Sequence, residues 1–226
     1  LTIAQASLVV APGEAVYVHR GTYYESVIPP TGTVGNIITY MGERGPSGEW
    51  LTIIDPTVSI GAVWAAAPEV GTGVYKATLG YNPGTIIYSN QSLARLGNDQ
   101  LSPSTVPGFT ILAYPNPTVI SSGDLDVDIN FWDLAYAIFG YNTHTGITYI
   151  RFRDNTNPNT LTLRTTAITG GVWTFGIDGY AASYLTVRDF EVRGAYASVR
   201  IADANHSTYE NNNLMHGLHR FYIQGT

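Results

Sequence analysis

The chain of 226 residues has no cysteine, which excludes thiolate catalysis, cysteine–zinc clusters and a disulfide framework. Lysine is almost as scarce: Lys76 stands alone, charged residues make up 12% of the sequence, and the net charge is -6. A nucleic-acid track needs clustered cations along the phosphates, so nucleic acid is excluded as a partner. Long apolar runs are missing too. The longest weakly polar stretch, Val58 to Ala67, is too short to span a bilayer and carries Ser59 and Gly61, so no membrane span is expected. The first residue, Leu1, is not an initiator methionine, and we expect a processed product whose targeting signal has been removed.

Glycine, threonine, asparagine and tyrosine are plentiful, which suits a β-rich chain with many turns and a polar, weakly charged surface. At this length a core can form without disulfides, in one domain or in one domain carrying a large insertion. Aligned with itself, the chain places Leu185–Ala204 over Ser207–Thr226 at an offset of 22 residues. Val187 then falls on Tyr209, Val192 on Leu214, Val199 on Phe221 and Ile201 on Ile223. A further step of 24 residues places Leu161 and Leu163 on Leu185 and Val187, and Phe175 and Ile177 on Val199 and Ile201. A unit of this size with short alternating strands and few helix signals is one coil of a parallel β-helix. The Leu and Asn framework of a leucine-rich repeat is missing. Alternation at Val199 and Ile201 points these inward and leaves Arg200 outside.

The N-terminal part carries a Pro-Gly turn and an acid (Pro12, Gly13, Glu14), a valine-rich strand (Val16, Val18), then Gly21, Tyr23 and Glu25. A second segment runs from Gly32 to Tyr40 with Gly42 after it. In this order of residues the chain resembles secreted right-handed β-helix proteins of the pectate-lyase-like superfamily, which open with a short amphipathic cap. Ile3, Ala6, Val9 and Val10 fit a helical stripe for that cap, while the β-branched content of the same segment fits a strand. Residues from about Trp64 to Asn159 leave the coil period. The phrases Val74–Leu79, Ile86–Arg95 and Thr148–Asn159 there resemble the β-sandwich insert of some β-helix glycoside hydrolases, with Ser89 and Asn90 where that family shows Asp-Gly.

Outward side chains of successive coils stack in rows about 4.8 Å apart and can face an extended polymer. The substrate-binding candidates are Arg188, Glu191, Arg193 and Arg200, together with Trp173 as a platform for a sugar ring. Cations beside carboxylates suit acidic sugars. A lyase needs a cation for the uronate carboxylate and a base for the adjacent proton; His216, His219, Arg200 and Arg220 are of the right type. A glycosidase needs two carboxyl groups about 5 to 9.5 Å apart, and Asp203 with Glu210 is one such pair across neighbouring coils. The catalytic candidates are therefore Asp203, Glu210, His216, His219 and Arg220. The run Asn211, Asn212, Asn213 reads as turn amides that hydrogen-bond from coil to coil. Asp124, Asp126 and Asp128 read either as one face of a strand or as a weak calcium site, lacking the glycine and closing glutamate of a calcium loop.

The expected fold is all-β: a right-handed parallel β-helix with an inserted β-rich, sandwich-like module and a short N-terminal cap. Residues 1–63 form the cap and first coils, 64–159 the insert, and 160–226 continuing coils that stop at Thr226 without a polar cap. The resemblance implies a secreted or cell-surface protein that binds an extracellular polysaccharide and cleaves it as a lyase or glycoside hydrolase. The alternative is a structural or adhesive protein whose open coil end pairs with another chain.

Overall fold

The computed structural model describes residues 2–68, 72–89, 91–95, 137–142, 145–168, 174–215 and 219–224. The chain divides into two compact units, one made of 1–58 with 170–226 and the other of 59–169.

The first unit begins with helix α1 (Ile3–Ser7), whose N-terminal donors are all accounted for. Thr2 Oγ1 accepts from Gln5 N at 3.0 Å, and Gln5 Oε1 accepts from Thr2 N at 3.0 Å, a capping box. Glu25 supplies both carboxylate oxygens to the remaining two donors, Ile3 N and Ala4 N, at 2.9 Å each. Glu25 of the N-terminal motif thus anchors the helix. Of the expected helical stripe, Ile3 is buried and Val10 packs against the core, while Val9 is exposed.

Strands β1 (Ala15–Val18), β2 (Gly21–Tyr23), β3 (Ile38–Gly42) and β4 (Thr52–Ile54) follow, and after the second unit come β14 (Phe175–Tyr180), β15 (Leu185–Arg188), β16 (Glu191–Arg193), β17 (Ala197–Ala202), β18 (Thr208–Glu210), β19 (Asn213–Met215) and β20 (His219–Gln224). They form three sheets of order β1-β3-β15-β18, β2-β4-β16-β19 and β14-β17-β20, and every pairing within them is parallel. From β14 to β20 the chain visits the third, first and second sheets in strict rotation. Earlier, β1 and β2 lie in the first and second sheets, and Val27 then makes a parallel bridge to Ile177 of the third. Residues 59–169 interrupt the sequence after a strand of the second sheet, and β14 resumes in the third, so the rotation is preserved.

Apolar side chains stack from strand to strand in this arrangement. Val16, Tyr40, Val187 and Tyr209 are register partners in the first sheet, Ile54, Val192 and Leu214 in the second, and Ile177, Val199 and Phe221 in the third. The expected 22-residue matches at Val187, Val192, Val199 and Ile201 are all register pairs. The 24-residue step is corrected: Phe175 pairs with Ala197 and Ile177 with Val199, while Leu185 and Val187 pair with Ile38 and Tyr40 of β3. Leu161 and Leu163 belong to the other unit. A shift of two residues keeps every side chain on its own face, so alternation alone cannot reject it.

Turns repeat with the strands. Ala181 and Asp203, Tyr184 and His206, and Asp189 and Asn211 are three pairs of non-glycine residues at positive φ, each pair 22 apart in number. Asn212 Oδ1 accepts from Phe190 N and its Nδ2 donates to Val187 O, both at 3.0 Å, tying one circuit to the previous one. Gly42 permits a close approach, because a Cβ there would lie 2.4 Å from the Asp189 carbonyl oxygen.

The second unit is β-rich with mostly antiparallel pairing. Its strands are β5 (Val58–Ser59), β6 (Ala65–Ala66), β7 (Val74–Thr78), β8 (Asn82–Tyr88), β9 (Gln91–Ser92), β10 (Ala94–Arg95), β11 (Ala137–Asn142), β12 (Ile147–Phe152) and β13 (Arg164–Ile168). They form sheets of order β10-β11-β12-β7-β6 and β5-β13-β8-β9. Ile86, Phe139, Ile150 and Phe152 are its fully buried core. Asn159 imitates a strand partner for Trp64, accepting from its N–H and donating to its carbonyl at 2.8 Å each.

Replacing Glu25 with alanine removes the acceptor of two helix N–H groups. The expected cost is about 1 kcal/mol, seen as a lower urea midpoint at unchanged slope; an unchanged midpoint would show that the helix does not depend on Glu25.

Candidate functional site

The third parallel sheet of the first unit carries a group of interacting polar and aromatic side chains. Asp178, Arg200 and Tyr222 are register partners on β14, β17 and β20. Parallel pairing at 22-residue spacing brings them side by side, since neighbouring strands lie about 4.8 Å apart. Arg200 grips Asp178 with both ends of its guanidinium, Nε to Oδ1 and Nη2 to Oδ2, each at 2.6 Å. Asp178 Oδ1 also accepts from Tyr180 N at 3.2 Å. Bidentate, charge-assisted pairs of this kind are directional and hold both partners in one orientation.

Aromatic rings surround the pair. The Arg200 guanidinium carbon lies 4.3 Å from the centre of the Phe175 ring and 4.9 Å from that of Tyr180, within cation–π range. Phe175 meets Tyr196 edge-on at 6.4 Å and Tyr222 at 6.3 Å. Phe175 is buried, whereas Tyr180 is 53% exposed and Tyr222 38%. The result is a pair of accessible tyrosine rings flanking a fixed planar donor and its carboxylate. Such a surface stacks on flat or weakly polar ring faces and hydrogen-bonds hydroxyls at their edges.

Beneath the sheet, Tyr209 turns its hydroxyl toward Gly179, where a Cβ would lie 2.1 Å away. That hydroxyl is buried and has no hydrogen-bond partner among the described residues. Burial and the negative charge of Asp178 push its pKa up to about 12.

The other predicted residues distribute as follows. Arg193 pairs with Glu191, whose second oxygen accepts from Asn213 Nδ2 at 2.9 Å, so both oxygens of this buried carboxylate are committed. Arg188 lies opposite Glu210 in register, directs Nη2 at Met41 Sδ at 2.9 Å, and approaches Asp189 at 3.8 Å. Asp189 accepts from Asn211 Nδ2; Asn211, Asn212 and Asn213 thus all bond back to the preceding circuit. Asp203 and Glu210 are both exposed, in the bend after β17 and at the end of β18. Arg220 is exposed on β20, and His219 pairs with Ala197 through the backbone. His216, Trp173 and the trio Asp124, Asp126 and Asp128 lie outside the described residues. Among the described residues no group of three His, Cys, Asp or Glu side chains is placed to hold a metal ion, and no helix is long and apolar enough to cross a membrane.

Sequence reasoning missed Asp178, Phe175, Tyr180, Tyr196 and Tyr222 as members of one site. The available signal was the spacing itself: Asp178 stands one 22-residue step before Arg200, and Tyr222 one step after.

No protein-family profile matches the chain, and no curated protein sequence matches it. Among solved structures the chain is similar to XylC, determined in complex with xylose, at 18% identity and a TM-score of 0.59. The match covers 99% of this chain and 38% of that one, so the chain spans well under half the length of that protein. At this identity the likeness is one of fold.

The unpartnered Tyr209 hydroxyl yields a prediction. Tyr209→Phe removes a buried polar atom that gains nothing, and should stabilise the protein by about 1 kcal/mol. The sign of its pH dependence follows from the raised folded pKa: stability is full below the unfolded value of about 10 and falls as pH rises toward about 12. The variant should lose that part of the alkaline decline in thermal melts. A Tyr209→Phe protein less stable than the parent at neutral pH would show that the hydroxyl has an acceptor.

Proposed function

We propose that this chain is part of an extracellular polysaccharide-binding protein and that the polymer is held on the β14-β17-β20 face. In this reading the three parallel sheets are the sides of a right-handed parallel β-helix, α1 is its cap, and residues 59–169 are a module inserted between two strands of a coil. The observation that carries the reading is the Asp178–Arg200 pair set among Phe175, Tyr180, Tyr196 and Tyr222 on strands stacked in register. Exposed tyrosine rings suit the apolar faces of sugar rings, and a guanidinium held by its carboxylate presents its remaining N–H groups without reorganisation. The likeness to XylC, a protein solved with xylose, supports a sugar ligand. A low charge content suits a surface that meets a hydroxyl-rich polymer.

Binding is the role best supported by the described carboxylates. Asp178 and Glu191 have both oxygens committed to neighbouring side chains, which suits holding an arginine more than moving a proton. Asp203 and Glu210, exposed in the bends and strand ends, are the carboxyl groups on which glycosidase chemistry would draw.

Affinity electrophoresis through gels containing plant and microbial polysaccharides tests the proposal. Tyr180→Ala and Tyr222→Ala should each weaken retardation about tenfold, the equivalent of about 1.4 kcal/mol, while Tyr17→Ala, at an exposed ring of the first sheet, should leave it unchanged. Equal loss in all three variants, or no retardation of the parent by any polymer, would refute it.

A further inference from the structure

We infer that the sugar taken by this face is uncharged, a neutral polysaccharide and not a polyuronate; the inference rests on the proposed function and narrows its substrate class. Arginines on the outside of the wound unit suit acidic sugars only if their charge is available. For Arg200 and Arg193 it is not. Arg200 is matched one to one by Asp178 through two hydrogen bonds of 2.6 Å, and Arg193 by Glu191. Each pair sums to zero charge. The Arg200–Asp178 pair is partly shielded, with side-chain exposures of 26% and 16%, and so are Arg193 and Glu191, at 21% and 10%. A uronate carboxylate reaching Arg200 would have to displace Asp178 or sit beside it. Displacement leaves a partly buried carboxylate unpaired, and side-by-side placement sets two like charges within a few ångströms.

The surroundings point the same way. The whole chain carries 17 acidic residues against 11 lysines and arginines, so at long range it repels a polyanion. The exposed rings beside the pair are those of Tyr180 and Tyr222, whose contribution to binding is stacking and does not depend on the ligand's charge. The Asp178–Arg200 pair then offers a carboxylate edge and guanidinium N–H groups together. Sugar hydroxyls are both donors and acceptors and can satisfy the two at once; a carboxylate only accepts.

The test compares retardation of the whole chain by neutral polymers (xylan, mixed-linkage glucan, galactomannan) and by polyuronates (polygalacturonate, alginate). Each is run at about 0.01 M and about 1 M sodium chloride, between which the screening length falls from about 30 Å to about 3 Å. The expected result is retardation by at least one neutral polymer, changing less than about twofold with salt, and none by polyuronates. Asp178→Asn, which leaves Arg200 with uncompensated charge, should acquire polyuronate binding that is lost at high salt. Salt-sensitive retardation of the parent by a polyuronate would overturn the inference while leaving polysaccharide binding intact. Retardation by none of the polymers would overturn the proposed function and this inference with it. An Asp178→Asn protein that folds, shown by an unchanged circular dichroism spectrum, yet gains no polyuronate binding would also count against the charge argument.

Discussion

Parallel pairing of strands 22 residues apart is the constraint on which the rest of the first unit depends. It is enforced at the turns as much as in the sheets. Three turn positions in each of two successive circuits hold non-glycine residues at positive φ, a conformation that costs an L-residue roughly 1–2 kcal/mol. Alanine and tyrosine are unusual there; Ala181 and Tyr184 are held by backbone bonds to Ala202 and Asn205 in the next circuit, at 2.8 and 3.0 Å. Asp189 and Asn211 are the types that tolerate the conformation best. Asn212 adds the cross-circuit bonds that replace those a continuous sheet would have supplied. With turn length fixed, a slip of any strand would unseat its whole circuit.

Register, in turn, makes the site. Arg200 meets Asp178 because both occupy the same place in consecutive circuits, and the same step delivers Tyr222 beside them. The fold therefore converts a one-dimensional spacing into a two-dimensional patch of cation, carboxylate and rings. Rigidity follows from the bidentate geometry and from the rings that cover the guanidinium. Under the proposed function, a polymer meeting this patch would lose little to reordering of the protein.

Much of this was legible in the residues, and the failures have a physical cause. The step from Val187 to Tyr209 and from Val199 to Phe221 is visible because both circuits are uninterrupted. One circuit earlier, a 24-residue step satisfied the same alternation, and it placed Asp178 on Ala202 instead of Arg200. The ion pair at the centre of the site was hidden by that two-residue error. The pairing of β15 with β3 was hidden differently, since the partners Leu185 and Ile38 are separated by the intervening unit, and a strand signal carries no memory of a partner so distant. Glu25 appeared in the sequence as part of a motif, but its task of closing the α1 donors depended on a tertiary approach that local propensity does not encode.

Hydroxyl-radical footprinting of the whole chain with and without a neutral oligosaccharide addresses the central claim most directly, because it reports side chains one by one. Protection concentrated at Tyr180 and Tyr222, with Tyr17 and Tyr24 unchanged, is the predicted pattern. Protection at Tyr17 or Tyr24 with Tyr180 and Tyr222 still reactive would contradict the placement of the site on the β14-β17-β20 face.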